Sequence, residues 1–118
     1  MNKKDKGKIG EEIAEKYLKE NGYKIIEKNF RTRFGEIDII CEKNLNLIFI
    51  EVRTKRESSF ISPEESLTKK KIEKLKKVAL EFISSQCKKY KEIKFEFIGI
   101  EFYSKESYKI NHIKDFIY

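Results

Sequence analysis

Phe34-Gly35-Glu36-Ile37-Asp38-Ile39-Ile40-Cys41-Glu42, then Lys43-Asn44-Leu45-Asn46, then Leu47-Ile48-Phe49-Ile50-Glu51-Val52-Arg53-Thr54-Lys55, is the stretch on which the fold turns. The two outer runs alternate and are rich in β-branched and aromatic residues, and the four residues between them are turn-prone, so the segment predicts an antiparallel hairpin. If Glu42 pairs with Leu47, the register carries Asp38 opposite Glu51 on one sheet face. Like charges so placed destabilise a sheet by up to about 1 kcal/mol, and the pair asks for a shared proton or a cation between them. A hard divalent cation is the simplest answer. The same register sets Glu36 opposite Arg53, where a plain cross-strand salt bridge is expected.

Upstream, Ile9, Ile13, Ala14, Tyr17 and Leu18 recur at helical spacing from about Asp5 to Glu20, and Asn21-Gly22 supplies the stop. Glu11 falls about 20° beyond Leu18 on the helical wheel, at the margin of the apolar arc, where a carboxylate can reach a seam between helix and sheet. For Glu11 alone, attraction to the helix dipole is a sufficient reason. Tyr23 to Phe30 reads as a strand preceding the hairpin.

Downstream, Ser62-Pro63-Glu64-Glu65 has the form of a helix start with Ser62 as cap. Apolar spacing lapses and resumes at Ile72, Leu75, Val78, Ala79, Phe82 and Ile83, so Thr68 is expected to cap a longer helix to about Gln86. Glu92 to Tyr103 and Ser107 to Ile113 read as two further strands, with Gly99 as a candidate bulge. The order α-β-β-β-α-β-β describes an α/β or α+β layer fold, with helices packed on one sheet.

Composition narrows the function. The chain has 118 residues and is read as one domain over 1–118. It carries 27 Lys and Arg against 20 Asp and Glu, a net charge of +7 whose commonest use is attraction to nucleic-acid phosphates. No apolar run approaches a membrane span, and the polar start lacks a signal peptide, so a cytoplasmic protein is expected. Cys41 and Cys87 stand far apart and His112 is the one histidine, which excludes zinc sites and redox dithiols. The single histidine and the lack of a G-x-S-x-G argue against a Ser-His-Asp hydrolase, so chemistry falls to carboxylates and lysines. Phe30, Phe34, Phe49, Phe82, Phe95, Phe97 and Phe102 are assigned to the core, and His112, between Ile110 and Ile113, to a structural role with partial packing.

Lys69, Lys70, Lys71, Lys74, Lys76 and Lys77 crowd the polar side of the second helix. Lysines in a first helical turn oppose the macrodipole, so stability does not explain Lys69 to Lys71, whereas phosphate contact does. Arg31, Arg33, Lys55 and Arg56 flank the acidic hairpin. A basic rim around an acidic centre suits a polyanion reacting at a metal.

Gly7-Lys8-Ile9-Gly10-Glu11, Gly35-Glu36-Ile37-Asp38, Phe49-Ile50-Glu51-Val52-Arg53, Thr68 to Lys71, Lys94 to Phe97 and His112 to Phe116 together resemble the YraN-type family of bacterial proteins. That family is similar to archaeal Holliday-junction resolvases and to restriction-endonuclease-like nucleases with a D-(D/E)-x-K core. The resemblance implies an α/β fold with a restriction-endonuclease-like core, a mixed five-stranded sheet with helices packed on it, in which Asp38 and Glu51 bind Mg²⁺ or Mn²⁺, Glu11 assists from the helix and Lys71 lies near the site. Arg53 takes the place of the core lysine. A guanidinium clamps a phosphate but does not act as a base, and Lys55, on the same strand face, offers an amine instead.

Three functions stay open at this level. One is a metal-dependent nuclease acting on DNA, including branched DNA, for which symmetric cleavage of a junction needs a homodimer. The second is a non-catalytic nucleic-acid-binding protein that retains the fold, with Arg53 marking a lost site. The third is a protein-interaction module with solvated lysines.

Overall fold

In the computed structural model, residues 3–56 and 68–114 are described. The elements are α1 (Lys3–Glu20), β1 (Lys24–Thr32), β2 (Gly35–Lys43), β3 (Asn46–Arg56), α2 (Lys69–Ser84), β4 (Glu92–Phe102) and β5 (Tyr108–Lys114). The chain is α/β in the expected order, and its sheet runs β1-β2-β3-β4-β5. The Ser62 to Glu65 helix start lies outside the described residues.

Each element ends where local chemistry requires it. Helix α1 closes in a Schellman turn: Gly22, at φ +83°, donates its N–H to the Lys19 carbonyl, and Tyr23 donates to the Leu18 carbonyl. Thr68 has extended dihedrals and its Oγ1 accepts the Lys71 N–H at 3.2 Å, so it caps α2 as its sequence position indicates. Strands β1, β2 and β3 form an antiparallel meander. Strands β3 and β4 are parallel, so the chain must cross over between them, and α2 lies in that crossover. Strand β5 then pairs antiparallel with β4.

Alternation sorts the sheet into two faces. Ile48, Ile50 and Val52 of β3 pack with Ala14 and Leu18 of α1, whereas Leu47 and Phe49 pack with Leu75, Val78, Ala79 and Phe82 of α2. A helix therefore covers each face, and each fully buried Leu, Ile or Phe contributes ~1.5–3 kcal/mol. Gly99 is no bulge, because it pairs in register with Arg53 and with Asn111. The register shift falls instead between Ile25 and Glu27 of β1.

Two positions carry measurable consequences. Asn44 and Leu45 form the hairpin turn with φ of 52° and 66°, and Leu45 is 71% exposed, so it pays the left-handed penalty with little burial in return. Its carbonyl accepts the Lys91 N–H at 2.8 Å, which ties the turn to the start of β4. Leu45→Gly keeps that backbone bond and relieves the strain; a gain of ~1 kcal/mol, read as a Tm increase of a few degrees, is expected.

Gly10 marks the closest approach of α1 to the sheet, since a Cβ there would stand 2.3 Å from Thr54 Cγ2. Alanine favours a helix by roughly 1 kcal/mol, but a clash against a short branched side chain on a sheet costs ~1–3 kcal/mol. Gly10→Ala is therefore expected to lower Tm by several degrees and to lift the adjacent Glu11 from its place. A Tm equal to or above that of the wild type would show that α1 can slide without cost.

Candidate metal and phosphate site

The hairpin does as its turn requires: Glu42 pairs with Leu47, and regular pairing continues to Ile39 with Ile50. One residue further the strands part, because Asp38 Oδ2 accepts the Val52 N–H at 2.8 Å in place of a backbone partner. A carboxylate inserted between two strands opens them into a fork. Asp38 and Glu51 meet there, side chain to side chain, as the register indicates.

Their electrostatics follow from the contact. Burial drives the Asp38 carboxyl well above the usual carboxylate range, and the facing Glu51 raises it further against the opposing Val52 hydrogen bond. Burial also pushes Glu51 up, against the downward pull of its bond to Asp38 and of the charges on Arg53 and Lys71. Two carboxyls in direct contact share one proton when no cation lies between them.

Two more acids converge on the fork. Oxygens of Glu11, Glu36 and Asp38 all lie within 4.8 Å of one another. Glu11 is raised by burial and by the charges of Asp38 and Glu36. The salt bridge expected between Glu36 and Arg53 does not form, since the register that would place it is interrupted at Asp38. Glu36 instead pairs across to β1, with Arg31 Nη2 2.7 Å from its Oε2. Arg53 turns to Glu51, its Nε 3.4 Å from Oε1, close enough for ion pairing but out of line for a hydrogen bond. Among the described residues, that buried Nε has no hydrogen-bond partner.

The acids form the wall between two cavities. One, of ≈ 300 Å³ on the α2 side, is lined by Phe34, Glu36, Asp38, Glu51, Arg53, Lys71 and Lys74. The other, of ≈ 370 Å³ on the α1 side, is lined by Gly7, Glu11, Asn29, Glu36, Asp38 and Arg53. Donors made of carboxylate oxygen alone, with neither sulfur nor imidazole, fit Mg²⁺ or Mn²⁺.

A family model described as "Uncharacterised protein family UPF0102" matches residues 10–100. The chain belongs to the UPF0102 family. A UPF0102 protein of Syntrophomonas wolfei is 48% identical over 107 residues, covering 91% of this chain and 92% of that protein. One from Sulfurihydrogenibium sp. is 43% identical over 86% and 88% of the two chains, and one from Caldicellulosiruptor saccharolyticus is 40% identical over 98% of each. The matched segment of this UPF0102 protein contains all four converging acids and α2.

The basic residues divide. Lys71 and Lys74 line the cavity, and Lys69 and Lys70 are exposed beside them at the start of α2. Arg31 is committed to Glu36, and the Arg33 guanidinium lies 4.8 Å from the Phe34 ring centre. Lys77 approaches the same ring at 5.4 Å. Lys55 stands 3.8 Å from Glu101 and lines neither cavity. The side chain of Arg56 lies outside the described residues. Phe34, assigned to the core, is half-buried and forms part of a cavity wall.

Two residues that the structure brings to this candidate site carry little signal in the sequence. Glu36 was given to a salt bridge, although its place two residues before Asp38 marked it as near the acids. Asn29 carried a fainter signal, a strand-disfavoured residue inside a run otherwise suited to a strand.

Proposed function

We propose that this UPF0102 protein is a cytoplasmic, metal-dependent endonuclease that hydrolyses phosphodiester bonds in DNA, with branched or otherwise structured DNA as its substrate. The reading includes a restriction-endonuclease-like core similar to that of Holliday-junction resolvases. The observation that carries it is the contact of Asp38 with Glu51 in a cavity that also presents Arg53, Lys71 and Lys74.

Asp38, Glu51 and Glu11 would hold Mg²⁺ or Mn²⁺. When bound, the cation polarises the scissile phosphate and lowers the pKa of an attacking water. Arg53, whose Nε has no partner among the described residues, donates to a phosphate oxygen and offsets charge developing there. Lys69, Lys70, Lys71 and Lys74 hold the backbone of the nucleic acid on either side of the scissile bond, without reading its sequence. A twofold pair of such sites would cut a four-way junction symmetrically.

Arg53 also favours a second reading, a DNA-binding protein without cleavage, because a guanidinium stays protonated and, unlike a lysine at that position, does not act as a base. Labelled duplex, single-stranded, flap and four-way-junction DNA, incubated with Mg²⁺, Mn²⁺ or EDTA, separates the two. Cutting that needs the metal and prefers one structure is expected. Salt-sensitive binding that is equal in EDTA, with no cutting, supports the second reading instead.

A further inference from the structure

We propose that Asn29 is a positioning residue of the carboxylate centre, whose side-chain amide ties Glu11 of α1 to Glu36 of β2 and so holds Glu11 at the spacing from Asp38 at which the acids receive a divalent cation. The proposal rests on the cation-dependent reading above.

Asn29 sits within β1 between two regular pairs, Lys28 with Ile39 and Phe30 with Ile37, and so stands across from Asp38. Its φ is +52°, a left-handed backbone conformation inside a strand. Left-handed dihedrals cost an ordinary residue ~1–2 kcal/mol, and asparagine tolerates them better than most. The local twist re-aims the side chain out of the alternation of the strand and toward the α1-side cavity.

With the amide nitrogen turned to the acids, Nδ2 donates to Glu11 Oε1 and to Glu36 Oε1, each at 2.9 Å. A primary amide has two N–H donors, one for each carboxylate. Glu11 and Glu36 belong to different elements, and Asn29 bridges them from a third. Arg31 holds the other oxygen of Glu36, so that carboxylate is fixed from two sides. The neutrality of the amide matters. A lysine in this place would gather the same acids but cancel their charge and repel a cation, whereas an amide orders the carboxylates and leaves their charge available.

The test is Asn29→Gly, which accepts a positive φ without strain and removes the side chain that carries the amide. Mn²⁺ binding is measured by electron paramagnetic resonance, and Tm is measured in EDTA. Expected are an affinity 10- to 100-fold weaker than wild type, the usual effect of losing an outer partner of a ligand, and a nearly unchanged metal-free Tm. In a Glu11→Ala background the same substitution should cost only a few-fold, because with Glu11 gone the amide no longer bridges two carboxylates and only its bond to Glu36, already held by Arg31, remains to be lost.

Unchanged Mn²⁺ affinity with a lowered Tm, or failure of Asn29→Gly to fold, would overturn the proposal in favour of a purely structural tie. A full loss that persists in the Glu11→Ala background would overturn the assigned route through Glu11. Wild-type protein that binds Mn²⁺ through Asn29 yet cuts no DNA leaves this inference standing and removes the nuclease reading. Wild-type protein that binds no Mn²⁺ overturns both.

Discussion

Asp38→Asn is expected to lower metal-dependent cleavage by about three orders of magnitude or more and, in the same protein, to raise the Tm of the metal-free form at alkaline pH. The first effect follows from removing a charged ligand, whose cation supplies several kcal/mol of transition-state stabilisation. The second follows from linkage. The folded state holds the Asp38 carboxyl above its ordinary pKa, through burial first and Glu51 second, so folding binds protons there. Stability from this group is greatest below the ordinary pKa of 3.8 and declines as pH rises toward the folded value. The asparagine amide oxygen can still accept the Val52 N–H, so the fork persists without its charge. Melting in EDTA at pH 5 and pH 9 checks the sign: the gain for Asp38→Asn should be larger at pH 9. A loss at both values would mean that the Asp38 charge supports the fold.

Glu96→Ala carries the second large effect, on stability. Glu96 is 2% exposed, and its Oε1 accepts from the Tyr23 hydroxyl at 2.8 Å and lies 2.7 Å from His112 Nε2. His112 Nδ1 is in turn 3.0 Å from the Tyr17 hydroxyl. Burial alone would push Glu96 up, but the hydrogen bonds from His112 and Tyr23 hold it below the usual range. Removing one member of a buried pair strands its partners, a cost of ~3–5 kcal/mol, and Tm should fall by more than ~10 °C. A carboxyl with a depressed pKa stabilises above its ordinary value of 4.5 and loses that contribution as pH falls through the folded value. The gap between wild type and Glu96→Ala should therefore narrow in acid, and a gap independent of pH would assign the loss to the cavity alone. Because Tyr17 belongs to α1, the network also anchors the helix that carries Glu11.

Legibility in the sequence tracked how local each cause is. The hairpin register followed from a four-residue turn and two alternating runs, and with it the meeting of Asp38 and Glu51. Thr68 was readable as a cap because capping is decided within three residues. Glu36 was misassigned because a side chain replaces a backbone partner at the fork, and alternation carries no trace of that substitution. Gly99 was misread as a bulge, though the backbone there pairs on both sides. The Glu96 network was invisible for another reason: Tyr23 is 73 residues away in the chain, and an acid between Phe95 and Phe97 looks like the solvent face of a strand. The apolar neighbours of His112 indicate packing, whereas its ring nitrogens are engaged by Glu96 and Tyr17, partners that local sequence does not name. Among the described residues, no helix is long and apolar enough to cross a membrane, in keeping with the absence of a long apolar run.

The most direct measurement is an anomalous difference map from crystals grown with Mn²⁺, recorded near the manganese absorption edge. The expected result is a peak at the fork, within about 2.0–2.4 Å of Asp38 and Glu51 carboxylate oxygens and in reach of Glu11, which disappears in Asp38→Asn crystals. No peak there, at a Mn²⁺ concentration that supports cleavage in solution, would contradict the assignment of these acids as the metal centre.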